Sequence, residues 1–172
     1  MQIEPVLCWD SNASNSHLTF TYNNISVHRV GNVSSYPAVF AKFTAAICSL
    51  TILLENAPVS ANGFSFGVAK TGCITLEGGP GVGTKVGSYG IYDADRRDKA
   101  QLTDVLAGSV SLGKFRKLVT GDILRAVVNI PEESVHLFLN DTEWDFKFEV
   151  CGLNDNYVFT ITLASDHKIS IR

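Results

Sequence analysis

In several segments of this chain apolar and polar positions alternate with a period of two, the spacing of a strand buried on one face only. In Ser134 to Asn140, for example, Val135, Leu137 and Leu139 fall on one side, while Ser134, His136, Phe138 and Asn140 fall on the other. Short runs rich in β-branched and aromatic residues, punctuated by Gly, Asn, Asp and Pro, predict strands at His17–Tyr22, Ser26–Val30, Leu50–Glu55, Ser65–Lys70, Ser88–Tyr92, Ile123–Asn129, Ser134–Asn140, Tyr157–Thr162 and Lys168–Arg172. Pro131-Glu132-Glu133 and Asn140-Asp141 read as hairpin turns, so the pieces form a meander. One segment fits a helix equally well, because Phe43, Ala46, Ile47, Leu50, Leu53 and Leu54 recur at helical spacing. The Thr and Ile content of Ser49–Glu55, and the breaker Asn56-Ala57-Pro58 after it, favour extended structure for its second half. The expectation is an all-β, antiparallel two-sheet β-sandwich, with no repeat or linker to divide residues 1–172 into more than one domain.

Composition narrows the function without naming it. At 172 residues and 18.7 kDa the chain is long enough for one sizeable core. Charged residues make up 18%, with 14 basic against 17 acidic and a net charge of −3, which argues against a phosphate-binding surface and hence against nucleic acid as a partner. Met1–Asp10 has neither a basic region nor an apolar stretch of secretory length, and Ala45–Leu54, the longest apolar-leaning run, is too short to span a bilayer. The expected location is cytoplasmic, with no membrane contact. Cys8, Cys48, Cys73 and Cys151 are widely spaced, suggest neither a zinc site nor a redox pair, and read as reduced, buried thiols. The sequons at Asn12, Asn24, Asn32 and Asn140 read as chance in that setting.

Two strings mimic catalytic motifs. Glu77-Gly-Gly-Pro-Gly-Val-Gly-Thr-Lys85 looks like a phosphate loop, but Thr84 intrudes between Gly83 and Lys85 and a strand follows where a helix is required, so it reads as a flexible inter-strand loop. Glu143-Trp-Asp145-Phe-Lys147 could put Glu143 and Asp145 on one strand face, about 7 Å apart along the backbone, where they could form a retaining-glycosidase pair. Lys147 occupies the third acidic position of such a strand, so an amphipathic strand with Trp144, Phe146 and Phe148 inward is the better reading. His17, His28, His136 and His167 accompany no nucleophile motif. No enzyme activity, catalytic residue, metal site or cofactor is expected.

Phe64-Ser-Phe-Gly-Val-Ala-Lys70, Gly87-Ser-Tyr-Gly-Ile-Tyr92, Thr120-Gly-Asp-Ile-Leu-Arg-Ala-Val-Val-Asn-Ile130, Ser134-Val-His-Leu-Phe-Leu-Asn140 and Tyr157-Val-Phe-Thr-Ile-Thr-Leu-Ala164 follow one another in this order. The series resembles a SPRY domain, a concanavalin-like β-sandwich used mainly to bind other proteins. Gly121-Asp122 is a turn in which the Asp bonds backbone donors before a buried strand, and Asp141 stands where the family often has Gly. The resemblance implies a non-catalytic interaction module, an adaptor or scaffold, that takes a peptide or protein partner on loops at one edge of the sandwich. Carried over, its partner-binding patches are Lys70 and Thr71, the loop from Asp93 through Asp95, Arg96 and Arg97 to Lys99, and the turn Ala164, Ser165, Asp166 and His167. Arg96 and Arg97 suit the carboxylates of an acidic peptide. Ala164-Ser165 lacks the aromatic that several peptide-binding members place there, and Lys114, Arg116 and Lys117 form a small basic cluster expected in a solvated turn. A lectin-like sugar binder with Trp144 as platform beside Asn140 and Asp141, and a permanent subunit of a larger complex, remain the alternatives.

Overall fold

Period-two burial carries the architecture. The computed structural model describes residues 3–11, 17–29, 36–57, 63–75, 81–93, 102–164 and 166–172. Its strands are β1 (Glu4–Pro5), β2 (Leu18–Thr21), β3 (Ser26–Arg29), β4 (Ala38–Lys42), β5 (Ile47–Asn56), β6 (Ser65–Lys70), β7 (Ser88–Asp93), β8 (Leu102–Ala107), β9 (Val110–Arg116), β10 (Ile123–Asn129), β11 (Ser134–Leu139), β12 (Trp144–Glu149), β13 (Tyr157–Thr162) and β14 (Lys168–Ile171). One sheet runs β12-β11-β10-β5-β14-β3-β2 with β1 against β5, and the other runs β4-β13-β6-β7-β8-β9. Apart from the parallel β1–β5 contact, all the paired strands are antiparallel. The inner faces meet in one continuous core: Leu50, Ile52, Leu54, Leu124, Ala126, Val128, Val135 and Leu137 come from the first sheet, and Phe66, Val68, Ile91, Phe159 and Ile161 from the second. Among the described residues no helix is long and apolar enough to cross a membrane.

The ambiguous segment resolves as strand. β5 starts at Ile47, and Leu50, Ile52 and Leu54 are fully buried while Thr51 and Leu53 between them are only half-buried, which is the pleat and not a helical stripe. Pairing on both edges, with β10 and with β14, supplies the backbone partners that make the extended state win. Ser65–Lys70, Ile123–Asn129 and Tyr157–Thr162 form as the alternation predicts. Strands β4, β8 and β9 were not legible. β9, Val-Ser-Leu-Gly-Lys-Phe-Arg, is exposed over most of its length and is a strand because β8 pairs with it. The cluster Lys114, Arg116 and Lys117 is therefore largely strand and not a solvated turn. The single meander also gives way to two meanders, β6 to β9 and β10 to β12, joined by the β9–β10 connection that crosses between the sheets.

The glycine-rich string is a packed cover over the second sheet's outer face. Gly67 and Gly90 are direct cross-strand partners. A Cβ on Gly90 would stand 2.9 Å from Val82 Cγ1, so the pair leaves the room in which Val82 is fully buried. The Val82 amide donates to Ser65 Oγ (2.8 Å) and the Gly83 amide to Ser88 Oγ (2.9 Å). These donors are spent on the sheet and do not face a phosphate. The expected flexible loop is thus anchored over Gly81–Lys85, and Glu77–Pro80 lie outside the described residues.

Candidate functional site

Alternating strand directions sort the connections to two ends. The β3–β4, β5–β6, β7–β8, β9–β10, β11–β12 and β13–β14 connections fall at one end, called here the crossover end, and the β2–β3, β4–β5, β6–β7, β8–β9, β10–β11 and β12–β13 connections, most of them hairpins, at the other, the hairpin end. Ser65 faces both Tyr92 and Thr162, so Asp93 and the 163–167 turn adjoin each other at the crossover end. Lys70 faces Tyr157, and Ala69 faces Ser88, so Lys70 and Thr71 lie at the opposite end. The three predicted patches are therefore not one surface: the sheet register separates the first from the other two by the length of a strand. Asp95, Arg96, Arg97, Lys99 and Ser165 lie outside the described residues. Asp93, Ala164 and His167 are 4%, 1% and 2% exposed, so they underlie that end and offer no contact area, whereas Asp166 is exposed.

What sequence reasoning missed is the polar floor beneath these loops. Among the described residues the buried Asp, Arg and His side chains, Arg29, Asp93, Asp122 and His167, all sit at the crossover end. Arg29 Nη1 donates to the Leu163 carbonyl (3.1 Å) and its amide to the His167 carbonyl (3.1 Å), while burial pushes the guanidinium pKa down against the pull of Tyr36 and Asp166. The His167 ring stacks on Phe64, centroids 5.3 Å apart and planes 17° from parallel. Phe64 and Asp93 are joined in turn, the Asp93 amide donating to the Phe64 carbonyl (2.8 Å). Burial pushes the Asp93 carboxyl up to about 6, opposed by Lys117. Ser65 and Thr162 share a 2.6 Å hydrogen bond alongside.

Gly121 and Asp122 open β10 as the turn reading requires. Gly121 has φ +95°, and Asp122 Oδ2 accepts the Val119 amide (2.8 Å). Arg116 was the missing member: Nη1 and Nη2 donate to the two Asp122 oxygens at 2.8 Å each, and the guanidinium also holds Glu143 through Nε and Nη2. Asn140 completes the knot, with Nδ2 donating to Asp122 (3.1 Å) and Glu143 (2.8 Å) and Oδ1 accepting the Ile123 amide (2.9 Å). Asn140 and Asp141 have φ of +48° and +59°, the conformation that explains why Gly suits the second position. An acid-rich spacing opposite a lone Arg was the available signal, but only the fold brings Arg116 beside Glu143.

This network also removes Glu143 from the acid's role in a glycosidase pair. Arg116, then Asn140, hold Glu143 down to about 2, opposite to what a general acid needs. Asp145 is bonded to His136 Nε2 at 2.6 Å instead. Trp144 stacks on Phe115, centroids 4.2 Å apart, and is half-buried, so one ring face is already covered against a sugar. Of the cysteines Cys48 is buried, where burial pushes its thiol up, but Cys8 and Cys151 are exposed, contrary to the sequence expectation. Among the described residues no group of His, Cys, Asp and Glu is arranged to hold a metal ion.

At the opposite end Thr71 donates through both its amide (2.7 Å) and Oγ1 (2.6 Å) to the Asn156 carbonyl, and it lines an apolar groove of about 670 Å³ beside Phe40, Ile74 and Val158. No family model and no curated protein sequence matches this chain. Solved structures do match the arrangement. The PSpry domain of TRIM65 superposes with a TM-score of 0.74 at 9% identity over 98% of this chain and 93% of that one. The SPRY domain of human HERC1 gives 0.68 at 9% identity over 95% and 96%. The fold is that of SPRY domains. Stonustoxin gives 0.66 at 13% identity over 98% of this chain but 27% of that longer one. At these identities the likeness is one of SPRY architecture, and the residues of the two ends are this chain's own.

Proposed function

We propose that residues 1–172 act as one non-catalytic, cytoplasmic SPRY-fold module, which binds a peptide or protein partner at the crossover end as an adaptor or scaffold. SPRY domains are interaction modules, and the fold is generally non-catalytic. The observation that carries the choice of end is the gathering of Arg29, Asp93, Asp122 and His167 beneath it. Buried charge is costly, and its concentration at one end of the sandwich fits a rigid, directionally bonded floor, which lowers the ordering cost of binding there. Asp95, Arg96, Arg97, Lys99, Ser165 and Asp166 are the contact residues of this reading, with Arg96 and Arg97 forking onto partner carboxylates. Asp93, Ala164 and His167 are buried at the same end and serve as its support. Exposed free thiols at Cys8 and Cys151 suit a reducing compartment.

The test is affinity purification of the full chain from its native cells, comparing wild type with Arg96→Glu/Arg97→Glu and, separately, with Lys70→Glu, each at unchanged Tm. Partners retained by wild type and Lys70→Glu but lost from the double variant, then reproduced with purified components, are the expected result. Retention by the double variant would move binding off this end.

A further inference from the structure

The second candidate surface lies at the other end and owes nothing to the reading above. Phe40 and Lys42 of β4 face outward with Val158 of β13, which pairs with Lys42. After β6 the chain folds back over this corner: the Cys73 amide donates to the Lys70 carbonyl (2.9 Å), and Ile74 buries itself against Ala38 and Ala69. The far wall is Asp10, whose amide donates to the Phe40 carbonyl (2.8 Å), and Phe43 is braced edge-on against Phe159 at 5.0 Å. The result is a preformed apolar floor walled by hydrogen-bonded backbone on both sides, in the size range of a ligand or side-chain pocket.

A second hollow of about 560 Å³ continues it, sharing Asp10 and Lys42 and reaching Glu4 and the exposed Leu7. The two hollows lie side by side as a trough divided at Asp10 and Lys42, and its rim carries three acids, Glu4, Asp10 and Asp155, against one base, Lys42. Asp155 meets no cation within ion-pair distance among the described residues. Lys42 reaches Asp10 only at 3.9 Å with its side chain 80% exposed, a contact that holds it weakly. Apolar floor and acidic rim together select an occupant that is apolar in its middle and basic at its flanks. A second copy of this chain is a poor fit, since net charge −3 and a matching acidic rim oppose it.

We propose that this trough is a second docking surface, which takes an extended segment of a partner protein carrying a bulky apolar anchor flanked by Lys or Arg. The floor receives the anchor, with Val158 and Phe40 beneath it and Thr71 at its mouth. The rim acids steer and orient the basic flanks, a role that shows in selectivity and association rate more than in total affinity.

The probe is a phage-displayed library of random decapeptides panned on the purified full chain. Recovered sequences are made synthetically, titrated by fluorescence anisotropy and mapped by backbone amide shifts. The expected peptides carry Lys or Arg beside Leu, Phe or Trp and shift Phe40, Lys42, Ile74 and Val158. Asp155→Lys, at an exposed site, should weaken them about five- to tenfold, as reversal of one rim charge implies, and Lys42→Glu should tighten them. Arg96→Glu/Arg97→Glu should leave them unchanged, which separates this surface from the crossover end. Acidic consensus sequences, indifference to both rim variants, loss of binding in the Arg96/Arg97 variant, or no enrichment over an unrelated β-sandwich would each overturn the proposal.

Discussion

The two ends of this sandwich are built from the same strands and differ in what they bury. At the crossover end the floor is polar: Arg29, Asp93 and His167 lie beneath the loops, and Asp122 is tied to Arg116 and Asn140 a few strands away. At the hairpin end the groove has Phe40, Phe43, Ile74 and Val158 below and its charges on the rim. Polar floors are held by directional bonds and lose stability when one partner goes, whereas apolar floors lose it in proportion to the volume removed. The first kind ought to respond to pH and the second ought not to.

Four variants sharpen that contrast. Ile74→Ala, which empties a 3%-exposed site in the satellite cluster with Ala38 and Ala69, should cost about 3 kcal/mol. In urea unfolding the loss should be the same at pH 4 and pH 8, and a pH-dependent loss would break the distinction between the ends. Arg116→Ala leaves the buried Asp122 carboxylate without its bidentate partner and should cost about 2 kcal/mol, less than a fully buried pair because Arg116 is 39% exposed. The Asp122 pKa is held below its ordinary value in the folded state by Arg116, Val119 and Asn140 against the cost of burial. The paired carboxylate therefore stabilises the fold above about pH 4, and wild type and variant should converge as pH falls below that.

Asp93 has the opposite sign. Burial raises its carboxyl from 3.8 to about 6, so the folded state binds the proton more tightly than the unfolded one. The Asp93 contribution to stability is then greatest below about pH 4 and declines as pH rises towards about 6. Asp93→Asn should abolish that decline and gain about 1 kcal/mol at pH 7.5, read by thermal melts across the range. Unchanged pH dependence in this variant would remove Asp93 from the polar floor. The smallest effect belongs to Lys70→Glu, an exposed strand end, where a stability change under about 0.5 kcal/mol is expected. A larger change would mean that Lys70 supports the groove wall through a contact other than its backbone.

Legibility in the sequence followed burial only in part, since β4 and β8 are buried at half or more of their positions and were still not legible. β6, β10 and β13 were readable because a strand buried on one or both faces must be apolar there whatever lies beside it. β9 was not, because an edge strand half in solvent needs no apolar pattern and takes its conformation from β8. At the sites the same division holds. The turn at Gly121-Asp122 and the αL pair Asn140-Asp141 are local backbone problems, so residue type alone discloses them. The grouping of Asp93 with the 163–167 turn, and the separation of Lys70 and Thr71 from both, depend on which strand ends coincide.

Alternation of apolar and polar side chains, an interior free of long helical runs and the ordered series from Phe64 to Ala164 thus determined an antiparallel sandwich of SPRY type, since period-two burial is a property of neighbouring residues. The tertiary structure alone decided that β5 is flanked by β10 and β14, that Arg116 meets Asp122 and Glu143, and that one end buries charge while the other opens an apolar groove. Those are pairings between positions far apart in the chain. The free energy of such a contact depends on register and strand direction, which no local window of residues contains.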